Sequence, residues 1–141
     1  MKLAIISTYP PKRCGIGIYT KNLVESLLKN GIEVEVFSFA GYSYKEEYVK
    51  PILRKNNIVS YFKALSYIKK QRFDRLLIQY EYKFYSILYF PIFLLMLMLI
   101  GKNVNLTMHT IPSYNEVVKQ SLYKIMNTSV LIFTNNVIFH T

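Results

Sequence analysis

Two glycines, a glutamate and a histidine carry most of the chemistry this sequence could do. The run PPKRCGIG, Pro10–Gly17, follows the short apolar stretch Lys2–Thr8 and precedes a helix-like segment from about Ile18 to Asn30. A strand that feeds a glycine-containing loop and then a helix is a common way for α/β proteins to hold a phosphate. Glycine lets the backbone come close to the ligand, and the helix N-terminus aims free N–H groups and partial positive charge at it. Gly15 and Gly17 equally suit a plain surface turn that needs backbone freedom, and these two residues alone leave both readings open. The loop is not a dinucleotide fingerprint. Thr20 stands at the third glycine position, and the next strand ends in Ser38, Phe39 and Ala40 with no carboxylate for a ribose. Nor is it a Walker loop, because no Gly-Lys-Ser/Thr follows. Glu81 and His109 fall at the ends of two further strand-like runs, Arg75–Tyr80 and Asn103–His109. Open parallel sheets bind ligands at the carboxyl ends of their strands, so all of these groups share the ligand-binding edge.

Strand-like and helix-like segments alternate along the chain. This predicts an α/β fold, a Rossmann-like doubly wound parallel sheet, in one domain over residues 1–141. The first helix carries Tyr19, Leu23, Val24, Leu27 and Leu28 on one stripe and ends at Asn30-Gly31. A strand at Ile32–Phe39 is followed by a loop over Ala40–Lys50 and a short extended piece near Pro51–Arg54. The next helix spans Ile58–Gln71, with Ile58, Phe62, Leu65 and Ile68 inward and Lys63, Lys69 and Lys70 outward. A last helix is expected over Glu116–Phe133, with Val117, Leu122, Ile125 and Met126 on its apolar side, before a final strand at Val137–His140.

The composition bounds the class. Hydrophobic residues make up 52% of 141, enough for one real core and too many for a disordered chain. The one cysteine, Cys14, excludes an internal disulfide, suits a reducing compartment and reads as a small loop residue. No secretory signal pattern follows Lys2, so the expected location is cytoplasmic. The net charge is +10, and Lys50, Arg54, Lys55, Lys63, Lys69, Lys70, Arg72 and Arg75 stand against Asp74 alone between Lys50 and Arg75. Such a stretch attracts an anionic membrane surface and places the protein peripherally on the inner membrane face; it also fits an ordinary solvated helix face. Nucleic acid is not an expected partner. No recognised binding module or zinc-ligand spacing is present, and the 13 tyrosines are spread along the chain.

Phe84–Ile100 is a run of seventeen uncharged residues between Lys83 and Lys102, with Pro91 inside it. As one helix it would reach about 26 Å, short of a bilayer core of about 30 Å. It lies between two strand-like runs, where a crossover helix keeps the sheet parallel. The expectation is a buried or membrane-touching crossover helix rather than a span.

The opening MKLAIISTYPPKRCGIGIYTKNLVESLLKNGIEVEVFSF resembles the N-terminal domain of glycosyltransferase family 4, the group 1 sugar transferases of the GT-B fold. LLIQYEY (Leu76–Tyr82), VNLTMHTIP (Val104–Pro112) and VIFHT (Val137–Thr141) are similar to later landmarks of that domain, in the same order. The resemblance implies one half of a GT-B fold, the acceptor side, and retaining transfer of a sugar from a nucleotide-diphosphate-sugar co-substrate. It implies His109 as the catalytic-site histidine that contacts the transferred sugar. Gly15, Ile16 and Gly17 would lie against the donor phosphate or sugar. Lys12, Arg13, Tyr19, Glu81 and Thr110 would line the acceptor side of the cleft, while His140 would mark the domain border. Glu81 could instead pair with Lys83 or a loop cation, and Lys12 and Arg13 could simply be solvated. No metal and no cofactor are expected, since backbone N–H groups and cations can stabilise a leaving diphosphate; the sequence offers no Asp-x-Asp pair.

The sequence ends at Thr141, near the family's domain border. The expected partner is therefore the missing C-terminal donor domain, in cis or in trans, and the chain alone is expected to be inactive. The same residues also fit a non-catalytic Rossmann-like binding or regulatory module, or a small protein anchored to a membrane through Phe84–Ile100.

Overall fold

The computed structural model describes residues 1–109 and 117–139, with 117–120 as backbone only. Thr110, His140 and Thr141 lie outside the described residues. Six strands form one all-parallel sheet: β1 (Lys2–Ile6), β2 (Glu33–Phe39), β3 (Val49–Leu53), β4 (Arg75–Tyr80), β5 (Val104–Met108) and β6 (Asn136–Phe139). Their order is β3-β2-β1-β4-β5-β6. Four helices connect them: α1 (Gly15–Lys29), α2 (Ile58–Gln71), α3 (Tyr89–Leu99) and α4 (Val117–Phe133). This is the expected Rossmann-like, doubly wound α/β architecture. The strand order reverses between β1 and β4, which makes their carboxyl ends the topological switch point.

Both faces of the inner strands are covered, so they read as almost unbroken apolar runs. Successive side chains point to opposite faces. Leu3 and Ile5 of β1 join Val34 and Val36 of β2 under Val24 of α1. Ala4 and Ile6 turn the other way and join Phe37, Leu76 and Ile78 under Ile68 of α2, Leu94 of α3 and Met126 of α4. The connection from β2 to β3 has no helix and is held by phenols. Tyr44 donates to the Phe39 carbonyl at 2.8 Å and meets Ser38 Oγ at 3.0 Å, while the Tyr9 and Tyr48 hydroxyls meet at 2.9 Å.

α2 begins where Asn57 Oδ1 accepts from the Ser60 N–H at 3.2 Å. It ends at Arg72, a left-handed residue with φ 51° that turns the chain into β4. Its inner face differs from expectation by one residue. Phe62 is 46% exposed, whereas Tyr61 is buried and its hydroxyl donates to the Lys55 carbonyl and accepts from the Ser86 N–H. A tyrosine with two partners fills the core position that the sequence offers equally to its aromatic neighbour. In α1, Val24 is buried while Tyr19 and Leu28 lie at the exposed edges of the stripe. In α4, Met126 and Val130 are buried, but Leu122 and Ile125 face out.

The uncharged run Phe84–Ile100 is not one helix. Phe84–Leu88 forms a turn, with the Ser86 hydroxyl placed to accept from the N–H groups of Leu88 and Tyr89, and only Tyr89–Leu99 is helical. Pro91 sits in the first turn, where its missing N–H interrupts no helical hydrogen bond. Eleven residues reach about 16 Å, about half the bilayer core. Among the described residues no helix is long and apolar enough to cross a membrane.

The Tyr85 ring is buried against Tyr80 and Phe90, and its hydroxyl lies 3.2 Å from the Ile6 carbonyl and 3.0 Å from the Gln79 carbonyl. Burial without a cationic neighbour pushes this phenol well above the ordinary tyrosine pKa, so it stays a donor. Tyr85→Phe removes that donor at little change in shape. It is expected to lower stability by about 1–2 kcal/mol, read as a lower urea midpoint with an unchanged slope.

Candidate functional site

The first turn of α1, the end of β4 and the end of β5 enclose a cavity of about 470 Å³, lined by Cys14, Gly15, Ile16, Tyr19, Glu81, Lys83, Phe84 and His109. Helix α1 starts three residues earlier than expected, so Gly15 and Gly17 are part of its first turn rather than of the preceding loop. Cys14 is the N-cap, with extended backbone, and its Sγ accepts from the Gly17 N–H at 3.3 Å and meets Thr8 Oγ1 at 3.2 Å. The Ile18 N–H goes to the Cys14 carbonyl. Helix geometry leaves the amides of Gly15 and Ile16 without intrahelical acceptors, beside the cavity. No acidic residue occupies the first turn.

The two glycines do different work. A Cβ on Gly15 would meet nothing within 4 Å. On Gly17 it would lie 3.3 Å from Cys14 Sγ, 3.4 Å from the Lys12 carbonyl and 3.5 Å from the Tyr9 carbonyl carbon. Gly17 is buried and outside the cavity lining; it lets the Tyr9–Cys14 loop lie directly on the helix. Thr20 ties the same turn to β1. Its hydroxyl donates to the Ile16 carbonyl at 2.8 Å and accepts from Ser7 Oγ at 2.6 Å.

His109 follows β5, and its N–H donates to the Tyr80 carbonyl at 3.1 Å. Its ring packs edge-on against Tyr19, with centroids 5.6 Å apart. Nε2 lies 2.6 Å from Oε1 of Gln79, a side chain only 1% exposed. An amide oxygen accepts, so Nε2 carries a proton in this contact, and whenever the ring is neutral Nδ1 is its acceptor nitrogen. Glu81 is buried at the end of β4, the strand paired with β5, and shortly precedes Lys83 and Phe84 in the lining.

Lys12 does not line the cavity but stands behind it. Its ammonium lies 3.8 Å from the centre of the Phe84 ring and 5.2 Å from that of Phe39. Burial lowers its pKa from the ordinary lysine value; Cys14 opposes the shift and Lys55 adds to it. Arg13 is exposed and outside the lining, and Thr110 lies outside the described residues. The structure thus brings together Gly15, Ile16, Tyr19, Glu81 and His109 of the expected set. Sequence reasoning missed Gln79, whose signal was its alternation with Glu81 at a strand end, and missed Lys83 and Phe84, which follow in the next turn.

No known protein family profile matches the chain, and no curated protein matches it significantly.

Two outcomes follow from this geometry. Gly17→Ala makes Cys14 Sγ give by a few tenths of an ångström and is expected to be less stable than Gly15→Ala, which leaves stability unchanged or raises it by up to about 1 kcal/mol. Urea unfolding of the two variants distinguishes them. For His109, long-range ¹H–¹⁵N correlation at alkaline pH should show the Nε2–H tautomer, and Gln79→Leu should release the ring into a mixture of both tautomers. The sequence holds only 2 histidines, so His140→Gln assigns the signals.

Proposed function

We infer that this chain is the acceptor-side half of a retaining glycosyltransferase, acting on a nucleotide-diphosphate-sugar together with a donor-binding half supplied in cis or in trans. The observation that carries this reading is the convergence of the Gly15-Ile16 helix turn and His109 on one cavity at the sheet's switch point. The resemblance to glycosyltransferase family 4 places the same residues together and supports it. In this assignment the Gly15 and Ile16 amides and the helix dipole offset the charge of the leaving diphosphate. His109, in the tautomer that Gln79 favours, accepts a hydroxyl of the transferred sugar through Nδ1. Tyr19 and Glu81 border the acceptor, and Lys12 backs Phe84. Transfer with retention needs no dedicated protein base, so a lining whose carboxylate among the described residues is Glu81 is compatible with it.

The test is reconstitution. The chain alone should give no turnover with a panel of nucleotide-diphosphate-hexoses, and joining or adding a donor-binding domain should give transfer. His109→Ala in the reconstituted pair should then lower transfer by about 10²-fold or more at unchanged folding. Unchanged transfer in His109→Ala, or full turnover by residues 1–141 alone, would overturn this assignment.

A further inference from the structure

We propose that the outer face of α2, α3 and α4 is a docking surface for an anionic lipid bilayer. The three helices lie side by side on one face of the sheet and share one core. Their outward positions are large and apolar: Phe62 on α2, Ile92 and Leu99 on α3, Ile125 and Ile132 on α4 are all at least 40% exposed, and Leu99 reaches 65%. Monomeric proteins seldom leave so much contiguous apolar surface without a partner for it.

The charges around these side chains name the partner. Not one carboxylate occurs in the α2, α3 or α4 segments, while Lys63, Lys69 and Lys70 of α2 and Lys124 of α4 are exposed. On α2 the outward stripe runs Val59, Phe62, Lys63, Ser66, Lys69, Lys70, apolar at one end and cationic at the other. Protein interfaces deplete lysine from their centres. Lysines set among apolar side chains are what a surface of acyl chains beneath anionic headgroups attracts. Between α3 and α4 a cleft of about 590 Å³ is lined by Pro91, Ile125, Ile132 and Phe133, with Lys124 and three hydroxyl side chains also at its wall. It offers a largely apolar seat with a cation beside it, the chemistry that an acyl chain near an anionic headgroup needs. No helix among those described can cross, so the contact is with the surface of the bilayer.

This inference does not rest on the transferase assignment, because it concerns a face of the sheet and not its carboxyl edge. The test is co-sedimentation of the full chain with phosphatidylcholine vesicles, with and without about 30% phosphatidylglycerol. Binding should require the anionic lipid and weaken with salt. Lys63→Glu/Lys70→Glu and, separately, Ile125→Ser/Ile132→Ser should each weaken it by about tenfold or more, with unchanged circular dichroism. Lys29→Glu on α1 should leave it unchanged. The proposal fails if vesicles of either composition bind equally or not at all, if neither double variant weakens binding, or if Lys29→Glu weakens it as much. It also fails if the chain is a dimer that Ile125→Ser/Ile132→Ser dissociates and that ignores vesicles, since a second copy would then cover this face.

Discussion

Because Gly17 has no Cβ, the Lys12 carbonyl and the Cys14 sulfur can lie against the first turn of α1, and the site takes its form from that close approach. With a Cβ there, the Cys14 sulfur would have to give by a few tenths of an ångström. The contact is reinforced from both sides: Cys14 Sγ takes the Gly17 N–H, and the hydroxyl chain from Ser7 through Thr20 to the Ile16 carbonyl fastens the turn to the sheet. Where a dinucleotide-binding loop would use a third glycine to bring helix and strand together, this chain uses a threonine that donates and accepts at once. These contacts fix the turn that carries the Gly15 and Ile16 amides, and a preorganised donor pair of this kind needs little rearrangement to meet an anion.

Much of the fold was legible in the sequence, for physical reasons that differ by element. α2 and β4 were bounded correctly as Ile58–Gln71 and Arg75–Tyr80, because helix periodicity ends where a charged turn gives way to an apolar run. The start of α1 was not, because two glycines read as loop while Cys14 is a weak capping signal. The run Phe84–Ile100 has no polar phase, so nothing in it marks where turn becomes helix; the Ser86 hydroxyl decides that through contacts with later N–H groups. The same lack of contrast misplaced Leu122 and Ile125, since α4 is apolar on more than one side. Of the site, the strand-end residues Glu81 and His109 were legible from topology. The Gln79–His109 contact joins two strands 30 residues apart in sequence and could only be seen once β4 and β5 were side by side.

The molecule divides its chemistry by direction. The cavity and the polar groups that line it lie at the carboxyl edge of the sheet, where backbone amides are available and the strands end. The exposed lysines and large apolar side chains of α2, α3 and α4 lie elsewhere, on the outer face of the helix layer. None of them lines the cavity, so a bilayer on that face and a ligand in the cavity would use separate residues.

Tyr85 adds a last constraint. β1 and β4 pair from Leu3 and Arg75 up to Ile6 and Ile78, and beyond that register the two chains diverge. The Tyr85 phenol stands where they part, touching the Ile6 carbonyl on one side and the Gln79 carbonyl on the other. One buried side chain thus spans the ends of both strands. The ring is not part of the cavity's lining, so its influence on the cavity runs through the backbone: it ties carbonyls near the ends of two neighbouring strands to one side chain, and the spacing of the rim is inherited from the core.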